Sequence, residues 1–256
     1  RRVLFRSDQE RFEMVEKAQA LIHHQVPLLA AVQAVSVQAA TIFAEHAARH
    51  GADGLMAMPP YLRKASRPDM EAYYLALAQF GLPVMIQNAP ALSGAAMSAA
   101  ELAGLLQMHA NIAFIKEEAP PILQRISQVQ EKAGDACQGV FGGANGIYLI
   151  DELDRGAVGN MPAGGFVDVQ VRIYNLYAAG EQAAATDLHH RLLPLLNYAS
   201  TYGVSLHKFL LWRRGVLHSS YARDPQRLNL DAHDQQAIYR YWKLIEDQTL
   251  SQYPLT

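Results

Sequence analysis

The stretch NIAFIKEEAP, residues 111–120, places a lysine directly after a run of β-forming apolar residues. Ile112 to Ile115 have the composition of a strand that is buried in a sheet. A buried strand is an unfavourable place for an ammonium group unless that group has a partner or a function. Lys116 is therefore the first candidate for a functional residue.

Similar short runs recur along the chain at intervals of about 25–30 residues, with amphipathic stretches between them, which is the pattern of strands alternating with helices. Ser36 is placed as an N-cap, and Gly51 as the stop of the same helix. Ser98 and Glu101 have the spacing of a capping box, and Pro120-Pro121 opens the following helix. The predicted strands are residues 27–32, 54–58, 83–87, 112–116, 137–142 and 157–161.

Continuous apolar strands that alternate with helices predict an α/β protein with a parallel sheet covered by helices. A doubly wound sheet and a (β/α)8 barrel both have this pattern. No strand is followed by G-x-G-x-x-G or by a P-loop, which disfavours a nucleotide-binding doubly wound sheet. Polar residues follow the strands, where a barrel carries its functional side chains, so the sequence favours the barrel.

Only six strands are found where a closed barrel of this type has eight. We therefore expect an N-terminally truncated barrel in which the two missing strands would precede residue 8. The partial barrel is assigned to residues 8–180, and residues 181–256 are assigned to a C-terminal helical extension of the same domain. Helices alone are predicted after Met161, at about 166–178, 181–199, 203–214 and 231–247.

The first seven residues, RRVLFRS, can be back-translated as AGACGTGTGCTCTTCCGATCT, the end of a common sequencing adapter. We therefore interpret residues 1–7 as a non-native segment, with authentic sequence beginning near Asp8. Buried and well-packed side chains in this segment would count against that interpretation.

Composition narrows the classes of partner. The 256 residues are 50% hydrophobic and carry a net charge of −2, which gives no basis for expecting nucleic acid or an anionic membrane as partner. The single cysteine, Cys137, cannot form an internal disulfide, and no apolar run approaches the roughly 18 residues of a membrane helix. We expect a cytoplasmic protein that acts on a small molecule.

From the residues alone, Lys116 has two interpretations. It could be a lysine at the rim of the barrel that pairs with Glu117 or Glu118. Alternatively it could form a Schiff base with a carbonyl substrate, because a lysine amine becomes nucleophilic when desolvation lowers its pKa. The apolar residues before it favour the second interpretation, but they do not exclude the first.

Four segments, in this order and spacing, resemble the dihydrodipicolinate synthase and N-acetylneuraminate lyase superfamily, whose members are class I (β/α)8 enzymes that act on 2-oxo acids. They are GADGLMAMPPY (51–61), LPVMIQNAP (82–90), NIAFIKEEA (111–119) and RGAVGNMPAGGF (155–166). The resemblance extends from Asp8 to about residue 247. It implies that Lys116 is the catalytic Schiff-base lysine of the I-K-E motif.

Two departures from the family pattern are informative. Gln87 occupies the position where most members carry a proton-relaying tyrosine, and an amide cannot transfer a proton at neutral pH. The family's T-P-Y-Y loop is replaced by residues 58–61, so that only Tyr61 of its two tyrosines remains. Both changes resemble the 2-keto-3-deoxy-L-arabonate dehydratase branch. The loss of the tyrosine is also compatible with an inactive site.

The leading interpretation is a hydro-lyase that dehydrates a 2-keto-3-deoxy sugar acid through a Schiff base, without metal or cofactor. A pyruvate-releasing class I aldolase, or an enzyme like dihydrodipicolinate synthase, is the first alternative, and a non-catalytic sugar-acid-binding protein is the second. The family implies a homo-oligomer, a dimer or tetramer, in the full-length protein, whereas the fragment itself is expected to be inactive. The expected substrate-binding residues are Gln87, Tyr61, Gly142, Gly143 and Asn160.

His46 and His50 have the i,i+4 spacing of a helical metal-binding pair, but no H-E-x-x-H motif or Cys/His set accompanies them. They are interpreted as surface or packing residues, and no metal site is expected. Asn88 is interpreted as a turn residue after the third predicted strand. Tyr61 is either a rim aromatic or, as the family implies, a residue that reaches the active site of a neighbouring subunit.

Overall fold

A computed structural model describes residues 5–61, 65–94, 96–224 and 227–255. The described residues form eleven α-helices and six β-strands. Two compact units are present, unit 1 with Arg1–Phe141 and Arg155–Val158, and unit 2 with Gly142–Asp154 and Gly159–Thr256. The predicted alternation of strands and helices is confirmed.

The strands of unit 1 form a parallel sheet in which spatial order follows chain order. Its central pair is in register at the polar end of the strands, where Gln87 lies opposite Lys116 and Asn88 opposite Glu117. Since parallel neighbours in register direct their side chains to the same face, each of these pairs shares one face of the sheet. The strands are β1 (Leu29–Ala31), β2 (Gly54–Ala57), β3 (Val84–Asn88), β4 (Ile112–Glu117) and β5 (Gly139–Gly142, whose last residue belongs to unit 2).

Two helices of unit 1 begin at Ser36 and Ser98, the caps that the sequence predicted. The Ser36 hydroxyl accepts from the Ala39 N–H at 3.2 Å. Ser98 and Glu101 form the reciprocal bonds of a capping box. These caps satisfy backbone donors that a helix terminus leaves unpaired. The helices are α1 (Asp8–Ile22), α2 (Val37–Arg49), α3 (Arg67–Ala78), α4 (Pro90–Ser93), α5 (Ala99–Leu106) and α6 (Ile122–Ala133).

The core of unit 1 lies between these helices and the sheet, and it includes two adjacent tyrosines of α3. Tyr73 and Tyr74 are both fully buried. The Tyr74 hydroxyl donates to the Ala57 carbonyl at the end of β2, and the Tyr73 hydroxyl accepts from the Ala34 N–H, each at 3.2 Å. Burial raises the pKa of Tyr73 to about 12. The neutral tyrosine hydroxyls therefore hold the segment that follows β1 and the last residue of β2 against α3.

Unit 2 is mainly helical. The four predicted C-terminal helices are present, although the last ends at Trp242 and was predicted to reach residue 247. Their buried leucines and aromatic residues form a separate core. A buried ion pair joins Asp168 to Arg214. Burial opposes ionisation of Asp168, but bonds from Arg214 and from the Leu250 N–H outweigh it and lower its pKa. The elements are α7 (Leu149–Asp154), β6 (Gly159–Asn160), α8 (Val167–Ala178), α9 (Gln182–Tyr202), α10 (Val204–Arg213) and α11 (Ala232–Trp242).

The last strand, β6, is shorter than predicted. The Met161 N–H still donates to the Gly142 carbonyl at 3.1 Å. The next residue is Pro162, which has no N–H and cannot extend a ladder of hydrogen bonds. The prediction of a strand over 157–161 was wrong in length, because β6 spans only Gly159–Asn160.

The predicted non-native segment is only partly described. Arg1 to Leu4 lie outside the described residues, whereas the Ser7 hydroxyl caps α1 by accepting from the Glu10 N–H at 3.2 Å. Its origin stays a prediction. In the part of the chain that is described, no helix is both long enough and apolar enough to cross a bilayer.

Candidate active site

Strand β4 places two consecutive charged residues on opposite faces of the sheet. Side chains alternate along a strand, so Lys116 and Glu117 cannot share a face. Lys116 faces the same side as Gln87 of β3, while Glu117 faces the same side as Asn88. The two faces of the sheet therefore carry different sets of polar side chains.

On the first face, the side chains of Lys116 and Gln87 converge on one carboxylate oxygen of Glu118. The Gln87 amide Nε2 donates to Glu118 Oε2 at 2.7 Å, and Lys116 Nζ lies 3.3 Å from the same oxygen. The Lys116 side chain is only 12% exposed and that of Glu118 is 21% exposed. The structure thus brings Lys116 and Gln87 together, as expected, and adds Glu118 to them.

Glu118 is absent from the site residues predicted above, where it was considered only as an ion-pair partner of a rim lysine. The signal that could have identified it is its position two residues after Lys116. A residue at i+2 returns to the same face of an extended chain. The ion pair of the first interpretation of Lys116 is present, but it is largely shielded from solvent instead of lying on an open rim.

The opposite face carries a structural network. Asn88 Nδ2 donates to both Glu117 carboxylate oxygens at 3.0 Å and to the Met97 carbonyl at 3.1 Å. Arg125 of α6 lies 3.3 Å from Glu117, and the Ala119 N–H donates to it at 2.7 Å. Burial raises the pKa of Glu117 in spite of these partners.

This network corrects the interpretation of Asn88 as a turn residue. Asn88 is the last residue of β3 and is fully buried. Its amide satisfies Glu117, and its Oδ1 accepts from the Met97 N–H at 3.0 Å. A buried carboxylate requires such partners, and this requirement holds the asparagine within the strand.

Tyr61 follows β2 and is partly buried. It interacts electrostatically with Arg11 and Tyr73. Among the described residues, no hydrogen bond or ion pair joins Tyr61 to Lys116. A contribution of Tyr61 to the site stays a prediction.

In unit 2, three of the expected residues surround a buried glutamate. Asn160 Nδ2 donates to the Gly143 carbonyl at 2.9 Å and to Glu152 Oε2 at 2.6 Å. A Cβ atom on Gly142 would lie 1.9 Å from the Glu152 carboxylate, so only glycine fits there. The Oδ1 atom of Asn160 is buried and has no hydrogen-bond partner among the described residues. The structure therefore brings Gly142, Gly143 and Asn160 together and leaves one acceptor available.

The sequence of the chain is similar to those of a dehydratase and a probable aldolase. It is 30% identical over 224 residues to L-2-keto-3-deoxyarabonate dehydratase of Azospirillum brasilense, covering 86% of this chain and 72% of that protein. It is 28% identical over 222 residues to the probable 2-dehydro-3-deoxy-D-pentonate aldolase YjhH of Escherichia coli K12, covering 84% of this chain and 73% of that protein.

The fold is also similar to that of a solved structure. YagE of E. coli K12, a prophage protein of the dihydrodipicolinic acid synthase family solved in complex with pyruvate, superimposes with a TM-score of 0.85 at 23% identity. The superposition covers 95% of this chain and 83% of YagE. Residues 4–243 match the sequence model of the Dihydrodipicolinate synthetase family. The chain belongs to the dihydrodipicolinate synthetase family, a family of lyases, as its four sequence segments suggested.

Proposed function

We propose that the chain is the larger part of a Schiff-base-forming lyase that dehydrates a 2-keto-3-deoxy sugar acid. The proposed substrate is 2-keto-3-deoxy-L-arabonate and the product is 2-oxoglutarate semialdehyde. One observation carries the proposal: a shielded Lys116 amine at the end of β4 lies beside the carboxylate of Glu118 and the amide of Gln87. The dehydratase from A. brasilense supports the choice of substrate class.

In the proposed reaction, the Lys116 amine attacks the C2 ketone of the substrate and water leaves, which gives an iminium ion. The iminium acts as an electron sink and makes a C3 proton acidic. Removal of that proton gives an enamine, which expels the C4 hydroxyl with a proton as water. Tautomerisation and hydrolysis release the semialdehyde and regenerate the amine. Because the imine itself accepts the electrons, these steps require no further cofactor.

Glu118 is proposed as the group that moves protons. Gln87 has no exchangeable acid function at neutral pH, so the family's tyrosine relay has no equivalent at this position. The Glu118 carboxylate is 3.3 Å from the lysine nitrogen, which is close enough to remove a C3 proton and then protonate the leaving hydroxyl. Gln87 orients that carboxylate through its 2.7 Å bond.

An aldolase that releases pyruvate is the second candidate, and the similarity to YjhH favours it. Both reactions pass through the same imine at Lys116. They differ in the bonds that break after it, which are C3–H and then C4–O in the dehydratase, and C3–C4 in the aldolase. Pyruvate detected with coupled lactate dehydrogenase would support the aldolase, whereas a semialdehyde without pyruvate would support the dehydratase.

Reductive trapping tests the shared step. Borohydride added with pyruvate should leave the mass of the reduced adduct on the peptide that contains Lys116. Lys116→Met should abolish the adduct, while Lys132→Met, which alters an exposed lysine of α6, should leave it unchanged. An adduct on another lysine would refute the assignment, and no adduct in a chain that contains all eight strands would support the non-catalytic alternative.

We further propose that the chain lacks the first two strands of a (β/α)8 barrel and is weakly active or inactive by itself. The trapping experiment should therefore be performed on the chain and on an extended form that carries the first two strand–helix units of a family member. Gly142, Gly143 and Asn160 are proposed as substrate-binding residues, and the buried Oδ1 of Asn160, which has no hydrogen-bond partner among the described residues, supports this role. Tyr61 is proposed to act in a cytoplasmic homo-oligomer, a dimer or tetramer.

A further inference from the structure

Helices α1 and α2 carry a cluster of metal-binding side chains that the proposed reaction does not use. Glu16 lies on α1, His46 lies on α2, and His50 is the C-cap residue that directly follows α2. One nitrogen or oxygen from each of the three lies within 4.8 Å of the corresponding atoms of the other two. The sequence alone indicates only the histidine pair, because Glu16 is thirty positions before His46.

The two histidines present their outer nitrogens to the same carboxylate oxygen. His46 Nε2 is 2.9 Å from Glu16 Oε1, and His50 Nε2 is 3.9 Å from it. Two ligands of a tetrahedral zinc ion are about 3.3 Å apart, given metal–ligand distances of about 2.0–2.1 Å. The observed separations bracket that value, so small side-chain rotations would bring the atoms to a common ion.

Hydrogen bonding leaves a lone pair on the second histidine. His50 Nδ1 is 2.9 Å from the His46 carbonyl, which is only an acceptor. His50 Nδ1 must therefore carry the proton, so in the neutral ring Nε2 is the unprotonated nitrogen, the form in which imidazole binds metals. A lone pair of His50 and a carboxylate oxygen then face each other without a proton between them, an arrangement that a cation would stabilise.

Helices α1 and α2, which carry the cluster, also contact each other through aromatic side chains. The rings of Phe12 and Phe43 are 5.3 Å apart, and Phe12 also contacts the His46 ring at 4.5 Å. The two histidine rings stack at 4.0 Å. Glu16 and His50 remain 47% and 42% exposed, so an ion can reach the cluster and keep water as a further ligand.

We propose that Glu16, His46 and His50 form a surface site for a divalent transition metal ion with zinc-like ligand preferences, which links α1 to α2. Two imidazoles and one carboxylate are typical ligands of Zn²⁺ and Co²⁺, whereas Mg²⁺ and Ca²⁺ prefer oxygen alone. The ion would stabilise the pair of helices, since a ligand that binds only the folded state raises its stability.

Isothermal titration of the full chain with Zn²⁺, and visible absorption on titration with Co²⁺, test the proposal. One equivalent should bind, and Zn²⁺ should raise the melting temperature. Glu16→Gln and His50→Asn should each weaken the affinity by at least about tenfold, by analogy with the loss of groups that support metal ligands. Glu13→Gln on the same helix and His233→Asn on α11 are matched controls that should bind like the wild type.

Three results would overturn the proposal. The first is no saturable Zn²⁺ binding to the folded wild-type chain, and the second is wild-type affinity in both Glu16→Gln and His50→Asn. The third is a loss of affinity in the two control variants as large as that in the cluster variants. Circular dichroism establishes that each variant keeps its helices. Both altered side chains are substantially exposed, and either variant alone is sufficient for the comparison.

Discussion

Replacement of Glu118 by glutamine tests the proposed proton transfer directly. Glu118→Gln preserves the shape of the side chain and an oxygen that can accept from Gln87. It removes the negative charge beside Lys116 and the group that can take up a proton. The expected effect is a loss of proton transfer at C3 without a loss of the imine.

The structure indicates how much Glu118→Gln should change the stability of the chain and how much it should change the reaction rate. The ion pair between Lys116 and Glu118 is 3.3 Å long with side chains 12% and 21% exposed, so it is neither fully buried nor fully screened. We expect its loss to change the free energy of unfolding by about 1 kcal/mol. A positioned acid or base contributes about 10²–10⁴-fold to rate, which corresponds to about 3–5 kcal/mol in the barrier. Glu118→Gln should therefore change the activation barrier of the reaction far more than the free energy of unfolding.

Deuterium exchange into the methyl group of pyruvate, followed by proton NMR in D₂O, measures this step without knowledge of the natural substrate. The wild-type chain and its extended form are compared with Glu118→Gln, with Glu118→Asp as a partial rescue and with Glu131→Gln as an exposed control on α6. Borohydride trapping on Lys116 should persist in the glutamine variant. Exchange by that variant at the wild-type rate would refute the role of Glu118.

Two further predictions concern stability. Burial raises the pKa of Glu117 above its ordinary value of 4.5, so the folded chain holds the Glu117 proton more tightly than the unfolded chain. The protonated side chain therefore contributes its full stability below pH 4.5, and this contribution is lost as the pH rises through the raised pKa. The difference in urea-unfolding free energy between wild type and Glu117→Gln should therefore decrease with rising pH, and an increase would contradict the burial argument. Asp168→Asn should destabilise the chain by about 3–5 kcal/mol because it leaves Arg214 buried without its partner. Asp187→Asn, an exposed substitution on α9, is the control, and an equal effect of the two changes would show that the ion pair contributes nothing specific.

Local patterns were sufficient to predict much of the fold. Ser36, Ser98 and Lys116 were placed correctly because caps and strand ends depend on residues within one or two turns. The family was also identified from short segments in the right order. These features require no knowledge of which residues meet across the fold.

Partners that are distant in sequence could not be predicted in the same way. Asn88 was assigned to a turn because its bond to the Glu117 carboxylate spans 29 positions. Glu16 was not associated with His46 because thirty positions and a strand separate them. Such pairs depend on how helices and strands pack, and composition and periodicity do not report on that.

The alternation of faces along β4 limits how this strand can change in evolution. Lys116 and Glu117 are adjacent, yet one serves the proposed chemistry and the other holds α6 through Arg125. Insertion or deletion of a single residue between Ile112 and Ile115 would exchange the two faces, turning the amine toward α6 and the buried carboxylate toward Gln87. Such a change would remove the reactive group and the ion pair to Arg125 at once, so length variation in relatives should be confined to the segments outside this strand.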